Sequence, residues 1–357
     1  MELSDRANLS GMDLSGMNLS GLHLNQSDPS GSDLRGSDLS DAHLRSAWLA
    51  GSDLQDAMLV GADLTAAVLS EANLEGADLT GAILVRSTAK GSVLSDARMA
   101  GADLTDADVS DADLSNADLA GTRLFRTDLS GSRLSGIYLT DSNMVGAHLS
   151  WADMSGSYLS HGQFSRAELY STNLSGADLT EADFTRAYMM RANLAGANLK
   201  RAKLDYADLT EANLAGADLG SAKLPYADLT RANLTGSDLS GSDLSSVRLL
   251  GAVLRGAELG GVYLREIDLR GVDLRNASLK GSGLELVFLT NADMRGADLR
   301  GATFDRVEMT GVDLRGADLE GIRYDQFTLY SLANAKRDGA RISEGLRAEL
   351  EQLARAG

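Results

Sequence analysis

Along residues 7–331, large apolar side chains recur at every fifth position, from Leu9, Leu14 and Leu19 to Leu329, without a change of register. That makes 65 consecutive units, most of them close to Ala-Asp-Leu-Ser-Gly or Ala-Asn-Leu-Thr-Gly. If the central residue is i, position i−2 is Ala or Ser, i−1 is Asp or Asn, and i+1 and i+2 are typically Ser/Thr and Gly. Residues i−2 and i then share a face while i−1 points away, the period-two alternation of a short extended segment. The last two positions carry turn chemistry. A chain that presents two inward residues, turns, and presents two more coils upon itself. Stacked coils pair as narrow parallel β-ladders.

Stacked positions of like residues give the number of sides. Arg255, Arg275, Arg295 and Arg315 recur at a spacing of 20, as do Lys203/Lys223, Tyr138/Tyr158, Tyr206/Tyr226 and the central pair Phe164/Phe184. Twenty residues are four units, so the predicted coil is four-sided. About sixteen coils spaced by about 4.8 Å predict a rod on the order of 77 Å long. An unbroken short repeat overrides the two-domain expectation that 357 residues would carry. The expected organisation is a β-helix over 1–331 followed by a helical segment over 332–357.

Central leucines fill the predicted interior, and small residues at i−2 keep the corners tight. Pro29 and Ala89 interrupt the central positions on one side of the coil, where reshaped packing is expected. Met12, Met17 and Leu22 stand where Ala is usual and read as a plug for the first coil, whose strand edges need cover. At the other end Ser343 can cap a helix with Leu346, Leu350 and Leu353 on one face, and Ile342 can staple onto Leu346. That helix is either a lid on the last coil or a dimerisation element.

Composition narrows the chemistry. With no cysteine there are no disulfides and no thiolate chemistry. The repeat begins within the first residues, so no signal peptide is expected, and no apolar run approaches the roughly 18 residues of a spanning helix. A cytoplasmic protein with no membrane contact is the expectation. Net charge is −18, and it is uneven. Residues 1–120 hold 20 acidic against 6 basic residues, a net of −14, while the rest is nearly balanced. No basic residue lies between Arg98 and Arg123, where Asp103, Asp106, Asp108, Asp111, Asp113 and Asp118 ring one coil. Six coils span about 29 Å, so this third carries about one net charge per 2 Å, close to the 1.7 Å of duplex DNA. That acidity argues against direct nucleic-acid binding and makes the ring the first candidate partner surface.

A second candidate surface is aromatic and basic. Trp151, Tyr170, Tyr188, Met190 and Arg191 project from one side, and Arg166, Arg186, Tyr206 and Tyr226 line the adjoining corner. Aromatic residues with Arg are the usual anchors of protein interfaces. The Arg255–Arg315 ladder lies beside Asp273, Asp293 and Asp313 and is expected to form interleaved pairs of little individual value. His23 and His43 stack, but two imidazoles make a weak metal site. Trp48 and Val68, with Met58 and Val60 one corner away, form a small apolar patch. No nucleophile–base pair, phosphate loop or ligand cluster stands out, and a filled coil offers no cleft of the kind catalytic sites occupy. Catalysis, cofactors and metals are not expected.

Tandem Ala-(Asp/Asn)-Leu-X-X units are the signature of the pentapeptide-repeat family, which this chain resembles over about nine-tenths of its length. The resemblance implies an all-β, right-handed quadrilateral parallel β-helix. Acidity and a C-terminal helix also resemble the family's DNA-mimicking Qnr and MfpA branch, whose members bind DNA gyrase and dimerise through their C-terminal ends. This implies a non-enzymatic DNA mimic, a homodimer through the C-terminal segment, that modulates a type II topoisomerase or protects it from a toxin or quinolone. Two features depart from that branch: no loops project from the repeat, and the acidity lies far from the C-terminal helix. The rival expectation is a protein-interaction scaffold with no topoisomerase role.

Overall fold

In the computed structural model, which describes residues 4–356, five residues again set the local geometry. Residues 1–3 and 357, including the start of the expected repeat domain, lie outside the described residues. The chain forms two compact units that divide between Ala187 and Tyr188. In both, residue i−1 forms a parallel bridge to the residue twenty positions on, as in Asn8↔Asp28, Asp13↔Asp33, Asn18↔Asp38 and His23↔His43 of the first unit and Asn193↔Asn213 of the second. The four-sided, twenty-residue register is therefore the observed one. Leu9 donates its amide to Asp28 at 2.8 Å and Asp28 donates back to Ala7 at 2.9 Å, and this pair of bonds recurs from coil to coil. Each side is so short that it mostly forms isolated bridges rather than strands. Longer extended segments stack in the second unit as β1 (Tyr263–Arg265), β2 (Gly283–Glu285), β3 (Thr303–Asp305) and β4 (Arg323–Tyr324), all parallel and in chain order.

The corners explain the polar part of the repeat. The central carbonyl accepts from the amide three residues on, as Leu9 does from Met12 at 3.2 Å, and residue i+2 has φ near +60°. A positive φ at this place in the turn is the mark of a type II turn, which favours Gly. Yet among the described residues 33 non-glycine residues adopt it, and none of these is Val, Ile or Thr. Branching at Cβ is what the left-handed region tolerates least. Asp or Asn at i−1 does more than face solvent. Its Oδ1 accepts the amide of i+1, at 2.9 Å for Asp128 and Ser130 and 3.0 Å for Asp78 and Thr80. The repeat's acidity is thus partly a by-product of how its turns are held.

Inside, central Leu and i−2 Ala are almost wholly buried along both units. Serine or threonine at i−2 mostly donates to a central carbonyl, as Ser27 does to Leu24 at 2.7 Å and Thr127 to Leu104 at 2.8 Å, but the buried Ser87 hydroxyl, two residues before Ala89, has no partner. The backbone register runs unchanged through both irregular centres: Ser32 donates to Pro29 at 3.1 Å, and Ser92 to Ala89 at 3.2 Å. At Ala89 the main-chain ladder is unaltered, whereas Pro29 has no amide to donate and among the described residues no bridge joins Asp28 to Trp48. In the first coil Met12 and Leu22 are half-buried and Met17 is exposed.

The C-terminal end differs from the expectation. The leucine register continues to Leu329, but residues Gln326–Ala333 form a helix, α1, capped by Asp325 accepting the Thr328 amide at 2.9 Å. Leu329 and Leu332 are buried from this helix instead of from a repeat turn. The chain then rejoins the ladder with Asp313↔Lys336 and Asp318↔Arg341, a spacing of 23 in place of 20. A helix advances about 1.5 Å per residue against about 3.3 Å for a strand, so a helical side needs more residues. A second helix, α2 (Glu344–Ala356), packs on α1, with Ser343 accepting the Leu346 amide at 3.3 Å. Two helices stand where the sequence predicted one.

Candidate protein-binding surfaces

The aspartate ring is where the sequence expectation and the structure part most. In sequence no cation lies near it; in space the coils on either side supply four. Arg123 reaches Asp103 at 3.3 Å, Arg126 reaches Asp106 at 2.6 Å, Lys90 reaches Asp111 at 3.3 Å, and Arg133 pairs with Asp113. Three of these follow the coil register of 20, so the signal was present in the sequence at 103/123, 106/126 and 113/133. Two ring members stay outside any ion pair among the described residues. Asp108 is held by Ser110 through its amide at 3.0 Å and its hydroxyl at 2.6 Å, and Asp118 accepts the Ala120 amide at 3.0 Å. At Asp103 partial burial opposes ionisation, but the Thr105 hydroxyl and amide and Arg123 outweigh it and hold the carboxyl below its usual range. Asp113 is held down against burial in the same way by Ser115 and Arg133. Four of the six ring carboxylates are thus paired, each with an exposed cation and each pair individually weak.

The other carboxylates of residues 1–120 are less engaged. Among the described residues no ion pair reaches Asp28, Asp38, Asp41, Asp56, Glu71, Glu75 or Asp96. Because Arg123, Arg126 and Arg133 lie beyond residue 120, their pairing offsets part of the −14 of this third, to a net of −12 over residues 1–133, and moves the available carboxylates away from most of the ring.

The aromatic and basic residues fall in both units. In the first, Trp151 and Tyr170 meet edge to face with centroids 5.1 Å apart, and Arg166 and Arg186 stand at corners with positive φ. In the second, Tyr206 and Tyr226 stack at 4.8 Å, Tyr188 is exposed, and Arg191 pairs with Glu211 at 2.8 Å. Trp151, Arg166, Arg186, Arg191, Tyr206 and Tyr226 all occupy left-handed corner positions. Trp151 is 64% exposed there, so it carries the conformational cost of a non-glycine corner with little burial in return.

From Arg275 onward the Arg ladder pairs as expected, while among the described residues no ion pair reaches Arg255. Arg275 and Arg295 hold Asp273 and Asp293 at 2.5 and 2.7 Å while their Nε atoms approach the next coil's Asp293 and Asp313 at 3.7 and 3.9 Å. Arg315 binds Asp313 at 2.6 Å and, by that hydrogen bond first, holds its carboxyl at about 2; Arg35 does the same for Asp33, also at about 2. A carboxyl depressed from about 3.9 stabilises the fold fully above that pH and loses its contribution as pH falls toward about 2. Urea midpoints are expected to drop between about pH 4 and 2, and Asp313→Asn, which can keep the turn bond to the Arg315 amide, should make that drop shallower. An unchanged acid profile in Asp313→Asn would count against the pairing.

At the end of the chain Leu346 and Leu350 are buried within their own chain, and Leu353 is half-exposed. Phe327 and Tyr330 of α1 remain exposed. His23 and His43 stack at 4.5 Å, and among the described residues no group of three His, Cys, Asp or Glu is placed to hold a metal. Among the same residues no helix is long and apolar enough to cross a membrane.

A four-sided parallel solenoid that displays charged and aromatic side chains at fixed corners is a repeat protein of the β-helical class. The chain belongs to the pentapeptide-repeat family: the family model described as "Pentapeptide repeats (8 copies)" matches residues 5–285 and 289–321. Among solved structures it is similar to HetL, a pentapeptide repeat protein involved in heterocyst differentiation regulation from the cyanobacterium Nostoc sp. strain PCC 7120. That match is 33% identical over 66% of this chain and 89% of that one, with a TM-score of 0.33. Rfr23 from the cyanobacterium Cyanothece 51142 is 39% identical over 24% and 58%, TM-score 0.24. QnrB1, a plasmid-mediated fluoroquinolone resistance protein, is 17% identical over 66% and 96%, TM-score 0.26. Comparison with curated proteins finds no match.

Proposed function

We propose that the protein is a non-enzymatic binding module whose acidic third takes the place of DNA on a basic protein surface, with DNA gyrase or another type II topoisomerase as the partner. The observation that carries this is the net −14 of residues 1–120, which is still −12 over residues 1–133, where Arg123, Arg126 and Arg133, the cations that pair with the ring, are counted with Asp128. Such a surface steers a basic partner at long range and weakens with salt. The right-handed sense, implied by the family resemblance, and the count of about sixteen coils, read from the twenty-residue period, belong to the same proposal, as does a cytoplasmic setting. We assign α2 to capping the last coil and leave Phe327, Tyr330 and Leu353 as the apolar residues through which a homodimer would form.

The test is a gyrase supercoiling assay at two salt concentrations with the wild-type chain and with Asp28→Asn/Asp38→Asn/Asp108→Asn. These three carboxylates hold the amides of Ser30, Ser40 and Ser110 at 3.0–3.1 Å, bonds that Asn can keep while shedding charge. Inhibition, or protection from a quinolone, should be present at low salt, fall at high salt and be weaker in the triple variant. No effect of the wild-type chain at either salt sinks the reading. A second reading, an interaction scaffold, is favoured by the cost accepted at Trp151. It expects Trp151→Gly to abolish partner binding without lowering stability, and the triple Asn variant to bind normally.

A further inference from the structure

Away from Pro29, the ladder of the first unit is stretched along one seam. Most of its inter-coil hydrogen bonds measure 2.6–3.0 Å, but Asn116 to Ser135 is 3.3 Å, Tyr138 to Ala117 and Gly121 to Thr140 are each 3.4 Å, and Asn143 to Thr122 is 3.2 Å. A cause lies beside them. Ile137 occupies an i−2 position, is fully buried, and stacks in the twenty-residue register between Ala117 and Ser157. A branched four-carbon side chain in a column sized for Ala and Ser must push its neighbours apart.

Outside this seam the side chains separate as well. Arg98 turns to Asp78 of one neighbouring coil at 3.0 Å, and Tyr138 stacks on Tyr158 of another at 4.8 Å. Between them lies a cleft of about 440 Å³, lined by Asp96, Arg98, Asn116, Asp118, Ala120 and Tyr138 among others. Asp118 spends one oxygen on the Ala120 amide, and among the described residues no ion pair reaches Asp96 or Asp118. The cleft therefore combines two unpaired carboxylates with an exposed tyrosine ring whose other face is already taken by Tyr158.

We propose that this cleft receives an arginine side chain of a basic partner protein. The inference rests on the proposed function in taking the partner to be basic. A guanidinium is flat, so it can lie on the free face of Tyr138 while its edge pairs with Asp118 and Asp96. An ammonium pairs equally well but stacks less. An anion would face two carboxylates, and a metal ion would lack a third strong ligand.

The probe is the blocked peptide acetyl-Gly-Arg-Gly-amide, titrated into the full-length protein by calorimetry beside its lysine counterpart. The arginine peptide should bind several-fold more tightly than the lysine peptide, and Asp118→Asn and Tyr138→Ala should each weaken it by about tenfold. Asp118→Asn can keep the turn bond, so its effect reads charge and not folding. Asp103→Asn, whose carboxylate already holds Arg123, should leave binding unchanged. Ile137→Ala should slow hydrogen exchange at the Gly121 and Tyr138 amides and weaken the peptide. No binding to the wild type, equal binding of the two peptides, or indifference to both Asp118→Asn and Tyr138→Ala would overturn the proposal. Gyrase inhibition without peptide binding overturns the cleft alone, whereas peptide binding without any gyrase effect supports the cleft and sinks the topoisomerase reading.

Discussion

Phe184→Ala is expected to destabilise the protein by about 3–5 kcal/mol, read as a lower urea midpoint at unchanged slope. Phe184 is a central residue of the first unit, fully buried, and stacks on Phe164 of the preceding coil with ring centroids 4.6 Å apart and planes 15° from parallel. Truncation removes a large apolar side chain from a wall that cannot collapse, because the backbone on either side is pinned coil to coil. The site is matched to its rings. Gly162 stands at the corner beside Phe164, and a Cβ there would come within 2.7 Å of the Phe164 ring. Phe164→Ala alone should cost a similar amount, and the double variant should fall short of the sum by about 0.5–1.5 kcal/mol, the pair term of stacked rings. A loss under about 1 kcal/mol for Phe184→Ala would show that the interior is not packed as described.

Removing the two buried leucines of α2 should have an effect of comparable size and a different character. Leu346→Ala with Leu350→Ala takes out the contacts that seat the helix, at about 2–5 kcal/mol for each leucine at full burial. If α2 caps the last coil, its release exposes the face of α1 it packs on and leaves the 336–341 segment, which pairs with Asp313 and Asp318, as the outermost edge of the ladder. Uncovered edges of this kind recruit other chains, so sedimentation should show larger species. If these leucines instead formed a dimer contact, the same variant would become smaller. The direction of the change separates the two roles.

Much of this was legible in the sequence. Leu9 to Leu319 gave the inward positions, and ladders such as Tyr206/Tyr226 gave the coil length, because like residues stacked at fixed spacing can only be neighbours. The same rule, applied to unlike charges, would have found Arg123 over Asp103 and Arg126 over Asp106; reading charge along the chain instead of across coils hid them. Three features were out of reach for other reasons. The turn bond from Asp128 depends on a side-chain rotamer that a one-letter pattern does not carry. Helix α1 hides because Leu329 satisfies the repeat register and a helix equally well, and only the capping Asp325 and the polar Gln326 distinguish them. The seam at Ile137 is a matter of a few tenths of an ångström, set by one oversized residue.

The corners also bear on how the sequence can change over time. A left-handed position that refuses Val, Ile and Thr but accepts Gly, Asp, Arg, Tyr and Trp behaves as a socket with a restricted alphabet. A side chain placed there points away from the leucine interior, so beyond the backbone cost of the left-handed position its effects are confined to the corners of neighbouring coils, as at Gly61, where a Cβ would come within 2.6 Å of Asp41. The accepted set happens to include the residues richest in charge and aromatic surface. A lineage could therefore rewrite what this solenoid binds one corner at a time, while the architecture beneath stays under separate and much stricter control.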